Sequence, residues 1–300
     1  MQGLMPDSQF PEPERRVQPL FRKSSLLNGL ALAGVILALA VWMRLNRPSL
    51  DLAPAEIAAG WRPVTLPSLR DPRARLAGAW ELVSTDARLG GFSGLAIDGD
   101  RLLALSDSGR LAWLPRPGAG ASKALLKPLP ATAGDPRKKI GRDSEGLAFD
   151  GQGWWVAFEQ HHQRIRFDRH FERALGRVAI ASRGFRPNRG VEAIAVEGGR
   201  VRLFREADGI SDAAALPSTG VVLLERRFGP LGFRSRLTGL GRGPLVLPLG
   251  PLDNAEGLAA EWRPGGGVRL WVITDNDNRR WRRTLLVAID LPADAAQARR

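Results

Sequence analysis

DSEGLAFDGQGWWVAFEQ, residues 143–160, decides the fold, because it contains two short apolar runs separated by a turn. The turn signal is DGQG, so GLAF and WWVAF are predicted to pair as the antiparallel strands of a hairpin. Glu145 precedes the first strand and Glu159 follows the second. Neighbouring strands lie roughly 4.8 Å apart, so the hairpin brings the two carboxylates together. Like charges placed opposite one another destabilise a sheet, and something must offset that repulsion.

The same pattern recurs along the chain: a small or acidic residue, a short strand, a Gly-containing turn, a hydrophobic strand and an acid. The five copies begin at Ser93, Glu145, Glu192, Asp212 and Glu256, and they end at Asp107, Glu159, Glu206, Glu225 and Asp275. Three of the four intervals between their starts suit a four-stranded propeller blade. The interval from Glu192 to Asp212 is too short, which predicts a truncated blade there.

These repeats predict an all-β fold, a five- or six-bladed β-propeller over residues 79–292 with one blade truncated. The strand-like run AWELVS at 79–84 is expected to pair with the last blade and close the ring. A β-sandwich is the competing interpretation. It is less favoured, because a sandwich would not require the repeat that the sequence shows.

The N-terminal region predicts export. Residues 26–43 carry no charge and follow a basic leader over 1–25 that includes Arg22 and Lys23. Such a segment is typical of a transmembrane helix, and the positive-inside rule keeps the leader cytoplasmic. The prediction is a single-pass inner-membrane protein with its C-terminal domain in the periplasm. The alternative is a cleaved signal segment and secretion to the periplasm. Residues 44–78 are predicted to be a linker, and residues 293–300 a tail.

Composition excludes several classes of site. The formal net charge is +13, but the basic residues are scattered and form no nucleic-acid-binding motif, so no nucleic acid is expected as a partner. The absence of cysteine excludes disulfides, thiolate catalysis and Cys-ligated zinc. No G-x-S-x-G, H-E-x-x-H or Walker A sequence occurs.

Four segments resemble one bacterial family. DSEGLAFD, NRGVEAIAV, GVVLLERRF and DNAEGLA occur in this order and are similar to the family called esterase-like activity of phytase. The resemblance covers nearly all of the predicted exported part and implies a hydrolytic activity. It also implies more strands between VRLFREADG and SDAAALP than this chain contains.

In a propeller, the first strand of each blade lines the central channel, so the starts of the repeats should meet at one face. Oxygen-rich sites suit hard cations, and Ca²⁺ takes 6–8 oxygen ligands. The sequence therefore predicts a divalent cation, Ca²⁺ being the expected ion. Its predicted ligands are Glu145, Glu192, Asp212, Glu256, Asn188 and Asn254. Two alternatives stay open: ion pairs with arginines such as those of LERR (224–227) and NRG (188–190), or acid/base chemistry without a metal.

Glu159, His161 and His162 are the candidate catalytic residues, because the two histidines directly follow an acid of the predicted channel mouth. The predicted function is metal-assisted hydrolysis of an ester or phosphoester by a membrane-anchored enzyme. Its expected partners are a small anionic or ester substrate and, through the N-terminal helix, the inner membrane. The alternative is a non-catalytic envelope scaffold whose propeller face binds a partner.

Overall fold

The computed structural model describes residues 23–45, 53–120, 123–181, 190–205, 209–216, 220–241, 243–279 and 281–293. The chain forms two compact units, residues 1–47 and residues 48–300. Every described strand belongs to the second unit. The predicted leader falls almost entirely outside the described residues, as does nearly all of the predicted tail.

The first unit contains helix α1 (Lys23–Leu45). Its described side chains are those of residues 28–39 and 41, and they are exposed; the other positions of the predicted span 26–43 lie outside the described side chains. Among the described residues, no helix has both the length and the apolar character needed to cross a membrane. The transmembrane helix predicted over 26–43 is therefore not supported.

The second unit is built from five antiparallel sheets that follow one another along the chain. Sheet 1 has the spatial order β1 (Ala55–Ala58), β7 (Lys123–Pro128), β6 (Arg110–Leu114), β5 (Arg101–Ser106) and β4 (Phe92–Asp98). Sheet 2 has the order β11 (Ala174–Ala179), β10 (Gln163–Asp168), β9 (Gly153–Phe158) and β8 (Ser144–Phe149). The short helix α2 (Lys139–Arg142) precedes β8.

Sheet 3 has two described strands, β12 (Val191–Glu197) and β13 (Arg200–Arg205). Sheet 4 has the order β14 (Ile210–Ala215), β15 (Val221–Gly229), β16 (Gly232–Thr238) and β17 (Leu245–Val246). Sheet 5 has the order β18 (Asn254–Trp262), β19 (Val268–Asp275), β20 (Leu285–Leu291), β3 (Arg75–Val83) and β2 (Gly60–Pro63).

The first strands of the five sheets form a ring. Strand β4 packs against β8, β8 against β12, β12 against β14, β14 against β18, and β18 returns to β4. The fold is therefore all-β and propeller-like, with four full blades (sheets 1, 2, 4 and 5) and the two-stranded sheet 3. Of the five or six blades predicted, the described residues form these four and the truncated one, whose first strand begins at Val191, one residue before the predicted start at Glu192.

The N-terminal strand β3 closes the ring, since it pairs with β20 as the run AWELVS predicts. Two further strands fall in the region 44–78 that was expected to be a linker: β2 pairs with β3, and β1 pairs with β7 of sheet 1. Both are short edge strands, a position that tolerates proline and charged side chains. The Pro- and Arg-rich composition of this region therefore resembles that of a linker, and the two strands were not predicted.

Apolar layers between neighbouring sheets hold the ring together. Between sheets 1 and 2, Leu103, Leu105, Trp154, Ile165 and Phe167 are almost fully buried in one cluster. Comparable clusters lie between sheets 4 and 5 and between sheets 5 and 1. The cluster between sheets 3 and 4 is smaller and centres on alanines. The third sheet therefore contributes the thinnest part of the core.

Candidate functional site

A β-bulge at the start of each inner strand positions the residues of the channel mouth. In all five hairpins, the register shifts by one residue at the same point of the first strand. A bulge re-aims the side chain of the extra residue away from the regular alternation. The five bulge residues are Ser93, Glu145, Glu192, Ser211 and Glu256.

The two bulge serines join neighbouring sheets. The hydroxyl of Ser93 donates to the carbonyl of Ser144 on the next sheet at 2.6 Å. Ser211 likewise donates to the carbonyl of Ala255 on the next sheet at 3.1 Å. These equivalent bonds show that Ser211, and not the adjacent Asp212, occupies the position of Glu145 in its repeat.

Asp212, predicted as a metal ligand, is instead a buried acceptor of backbone hydrogen bonds. Its side chain accepts from the amide of Leu258 at 2.6 Å and from its own neighbour Ala213 at 2.8 Å. Burial raises the pKa of Asp212 well above its usual range, although these amides lower it. Asp212 therefore ties β14 to β18 inside the ring and does not line the pocket described next.

The channel mouth holds an acidic cavity of about 230 Å³, which we call the acid pocket. It is rich in carboxylates: Asp107, Glu145, Glu159, Glu192, Glu256, Asp275 and Asp277. Gly91, Phe92, Ser93 and Arg226 complete the lining. Seven carboxylates around one arginine make the cavity strongly negative within a chain of net charge +13.

Three carboxylates converge closely enough to share a cation. Asp143, Glu145 and Glu159 each offer one oxygen, and these oxygens lie within 4.8 Å of one another. The hairpin β8–β9 produces this proximity, as the opening sequence predicts for Glu145 and Glu159. Glu159 is oriented by the amide of Gly190, which donates to its Oε1 at 3.1 Å.

Lys139 of α2 stands beside this group. Its ammonium lies 3.0 Å from Asp107 and 3.4 Å from Asp143. Burial lowers the pKa of Lys139, but the two carboxylates raise it overall, so the side chain stays charged. It neutralises part of the rim of the acid pocket.

On the opposite side, Glu256 is held by Arg226 and Asn254. Nη1 of Arg226 donates to Oε1 of Glu256 and, at 2.6 Å, to Oδ1 of Asn254. The amide of Asn254 also donates to Oε1 of Glu256 at 2.8 Å. Asn254, predicted as a metal ligand, therefore supports Glu256 and does not line the pocket, and the arginine of LERR forms the predicted ion pair.

Burial, together with the charges of neighbouring acids, raises the pKa values of three of the pocket carboxylates. Burial raises the pKa of Glu145 well above its usual range, and the charges of Glu192 and Asp143 raise it further. Burial raises the pKa of Glu256 to about 7 even though Arg226 and Asn254 lower it. Burial also raises the pKa of Asp275. The metal-free pocket therefore disfavours full ionisation of its carboxylates.

The remaining predicted residues lie elsewhere. The ring of His161 packs against Gly134, and His162 ends the turn that begins at Glu159, its amide donating to the Glu159 carbonyl at 3.1 Å. Neither histidine lines the acid pocket. Asn188, predicted as a metal ligand, lies outside the described residues.

Lys139 and Asp277 had no place among the predicted site residues. Asp277 lies in the turn after β19 and has a positive φ of 51°. The sequence DNDN at 275–278 contained a signal for it, since a second acid two residues after Asp275 continues the same acidic turn. Lys139 belongs to the basic run RKK, which reads as a solvated surface segment when the sequence is considered alone.

Comparison with known proteins finds a match to one family model over part of the chain. Residues 87–207 match the phytase-like family model, described as esterase-like activity of phytase. The match confirms the resemblance for DSEGLAFD and NRGVEAIAV and includes the bulge residues Ser93, Glu145 and Glu192, whereas GVVLLERRF and DNAEGLA lie outside it. No curated protein matches the chain.

Solved structures with a similar arrangement share little sequence with this chain. The PQQ-bound aldose sugar dehydrogenase of Streptomyces coelicolor has a TM-score of 0.42 at 13% identity, covering 79% of this chain and 100% of that chain. The Myxococcus xanthus glutaminyl cyclase has a TM-score of 0.31 at 14% identity, covering 79% and 97%. A putative 6-phosphogluconolactonase from Bacteroides uniformis has a TM-score of 0.31 at 16% identity, covering 70% and 77%.

Proposed function

We propose that the acid pocket is the active site of a divalent-cation-assisted hydrolase that acts on an ester or a phosphoester. The observation that carries the proposal is the convergence of seven carboxylates on one cavity at the channel mouth. The phytase-like match over residues 87–207 supports an esterase-type reaction, and it includes four of the seven acids. These four are Asp107, Glu145, Glu159 and Glu192.

The chemistry of the donors fits a hard cation. Asp143, Glu145 and Glu159 offer carboxylate oxygens within 4.8 Å of one another, and such oxygens are the ligands that Ca²⁺ prefers. A bound cation removes the repulsion that raises the pKa of Glu145. When bound, it supplies Lewis acidity toward an ester or phosphoryl oxygen and toward water.

The protein's own groups would position the substrate and move the proton. Glu256 has a pKa of about 7, which suits a group that accepts and returns a proton near neutral pH. Its Oε1 is occupied by Arg226 and Asn254, so the proton is transferred at Oε2. Arg226 offers a guanidinium to an anionic substrate group inside an otherwise negative cavity.

The test combines calcium binding with turnover. Purified protein should bind Ca²⁺ in a calorimeter and should hydrolyse p-nitrophenyl acetate or p-nitrophenyl phosphate, with activity lost in chelator. Glu145→Gln should weaken Ca²⁺ binding by at least about tenfold, because it removes one ligand charge from the site. Glu56→Gln is the matched control, since Glu56 is an exposed acid on β1.

The outcomes separate the alternatives. If chelator changes neither melting nor turnover and Glu145→Gln behaves like Glu56→Gln, the acids serve architecture and the hydrolase proposal fails. Calcium binding without turnover of either ester would retain the ion site and favour a non-catalytic binding propeller.

A further inference from the structure

Among the described residues, sheet 3 has no third strand to lie between the third strands of sheets 2 and 4. Sheets 2 and 4 continue outward with β10 and β16, whereas the described part of sheet 3 ends at β13. Sheet 3 lies between sheets 2 and 4 in the ring, and packed sheets lie about 10 Å apart. The third strands of sheets 2 and 4, β10 and β16, therefore face each other across the space that a third strand of sheet 3 would fill. The outer edge of β13 forms the floor of this space.

The walls of this space carry arginines where other interfaces between sheets carry apolar residues. On β10, Ile165 and Phe167 are fully buried against sheet 1, so the alternate residues Arg164 and Arg166 face sheet 3. On β16, Leu237 is fully buried toward sheet 5, so Arg234 and Arg236 face sheet 3. The floor strand adds Arg200 and Arg202. We call the space bordered by these six arginines the basic wedge.

The charge of the basic wedge is only partly balanced. Arg166 pairs with Asp150, Arg202 with Glu197 and Arg236 with Glu225. Within the described chain, Arg164, Arg200 and Arg234 take part in no ion pair. Three positive charges therefore remain for an external partner.

Arg164 is held in position at the wall of the basic wedge. Its guanidinium lies 5.0 Å from the centre of the Trp155 ring, which holds the side chain in place. Its Nε is buried and has no hydrogen-bond partner in the described structure. Because the ring holds the guanidinium in place, less conformational entropy is lost when an acidic side chain pairs with it.

The edge of β13 specifies the kind of partner. A strand at a sheet edge offers backbone N–H and C=O groups that pair with an added strand. Apolar surface borders the wedge as well: Val178, 39% exposed, lies beyond Arg164, and Phe204 and Leu223 are only partly buried against the small cluster between sheets 3 and 4. Nucleic acid would satisfy the charge but neither the backbone edge nor this apolar surface.

We propose that the basic wedge binds an acidic, extended peptide segment of another protein, which adds to β13 as the third strand of the truncated sheet. Backbone hydrogen bonds to β13 provide the pairing, and the arginines of both walls select acidic side chains. This interaction surface is separate from the acid pocket and does not depend on hydrolysis.

The probe is a fluorescent ten-residue peptide of alternating Glu and Val, with binding to the full chain followed by anisotropy at low ionic strength. Arg164→Gln with Arg234→Gln should weaken binding by about tenfold, since it removes one unpaired charge from each wall. Arg62→Gln with Arg137→Gln is the matched control, because it removes two exposed arginines elsewhere and should change binding less than about twofold. Bound peptide should also protect the amides of residues 200–205 from hydrogen exchange.

Two further peptides test the geometry. A peptide of the same sequence, N-methylated at alternate residues, keeps its charge but loses backbone donors, so it should bind much more weakly. A Lys-for-Glu peptide should not bind. Equal binding of the N-methylated peptide without protection of β13 would show that the arginines bind any polyanion without strand pairing, and it would overturn the proposal. The absence of binding by the Glu–Val peptide would overturn it as well.

Discussion

Arg226 is the arginine that lines the acid pocket and offsets part of the charge of its seven carboxylates. It lines the pocket, it contacts Glu256 and Asn254 through a single nitrogen, and its guanidinium lies 5.7 Å from the centre of the Phe233 ring. The side chain is therefore held by three neighbours from two strands, β18 and β16. Its loss would leave a buried carboxylate facing six others.

Arg226→Met should destabilise the protein in a pH-dependent way. At pH 8 Glu256 is ionised in the parent protein, but without Arg226 its pKa rises above about 7 and it can take up a proton, so the part of the loss that depends on its charge is limited to about 1.4 kcal/mol of unfolding free energy. At pH 5 Glu256 is protonated in the parent and in the variant, because its pKa is already about 7 with Arg226 present, and this part of the loss should vanish. Urea unfolding at both pH values measures the difference.

The control for Arg226→Met is Arg227→Met, since Arg227 is the adjacent, exposed arginine of the same strand. It should change the unfolding free energy by less than about 0.5 kcal/mol at either pH. Adding Glu256→Gln to Arg226→Met should restore most of the lost stability at pH 8. An equal loss at pH 5 and pH 8 would show that packing of the guanidinium, and not its charge, matters.

At the scale of the strand, a glycine follows the bulge residue in three of the five hairpins: Gly94, Gly146 and Gly257. The inner strands approach so closely there that a Cβ on Gly146 would lie 3.1 Å from the carbonyl oxygen of Glu192 on the next sheet. On Gly257 it would lie 2.9 Å from the Cβ of Leu95. In the repeated S/E-G-L sequence, the serine or glutamate is the bulge residue, the glycine permits the close approach of the next inner strand, and the leucine is buried in the core.

Gly146→Ala should destabilise the protein by about 1–3 kcal/mol, because the added methyl meets backbone atoms of β12 that cannot move independently. Thermal or urea unfolding measures the change. Gly176→Ala on β11 is the matched control, as a Cβ at Gly176 meets nothing within 4 Å. If both variants are equally stable, the inner strands are less tightly packed than the structure indicates.

The same hairpins show what could be predicted from the sequence. The spacing of the repeats predicted the propeller-like ring, the truncated sheet at Glu192 and the meeting of Glu145 with Glu159. It assigned the position of Glu145 in this repeat to Asp212, one residue after the correct residue Ser211. The error arose because the repeats were aligned by matching acidic residues with one another. The bulge determines which residue faces the mouth, and in SDAAA the bulge residue is Ser211.

Other parts of the site depend on contacts between distant segments. Arg226 reaches Glu256 from a neighbouring sheet, and Lys139 reaches Asp107 across 32 positions of the chain. Neither pair follows from local spacing. His161 and His162 were predicted from their position next to Glu159, but neither lines the acid pocket, and the ring of His161 packs against Gly134.

At the scale of the whole molecule, export remains a proposal that rests on the uncharged segment 26–43 behind Arg22 and Lys23. Alkaline phosphatase fused after residue 52, ahead of β1, should be active, because this reporter requires the periplasm for its disulfides. The same fusion without residues 1–43 should be inactive and is the control. Activity of a cytoplasmic reporter fused at the same point would contradict export.

The molecule concentrates its negative charge at the centre of a basic chain, and this distribution should shape its pH dependence. Glu145, Glu256 and Asp275 have raised pKa values, chiefly because burial disfavours their charged forms. Asp143 has a raised pKa for the same reason. Each of these groups binds its proton more tightly in the folded than in the unfolded chain.

The metal-free protein should therefore lose stability as the pH rises from about 4.5 to about 7. For Glu256 the contribution is fully present below the unfolded pKa of 4.5 and is lost once the pH passes the folded pKa of about 7. The shift of the Glu256 pKa from 4.5 to about 7 corresponds to roughly 3 kcal/mol of unfolding free energy from this one group. The charges facing it are Arg226, which lowers its pKa, and Asp277 and Asp107, which raise it.

Thermal unfolding from pH 4.5 to pH 8 in chelator should show this decline, and excess Ca²⁺ should remove most of it. A cation that binds the folded state at 100 times its dissociation constant contributes about 2.7 kcal/mol, and its binding strengthens as the carboxylates ionise. Glu256→Gln should flatten the chelator profile without abolishing it, because Glu145 and Asp275 still titrate. A melting temperature in chelator that rises between pH 5 and pH 8 would mean that the acids are stabilised in their charged forms by the protein alone, leaving a cation nothing to offset.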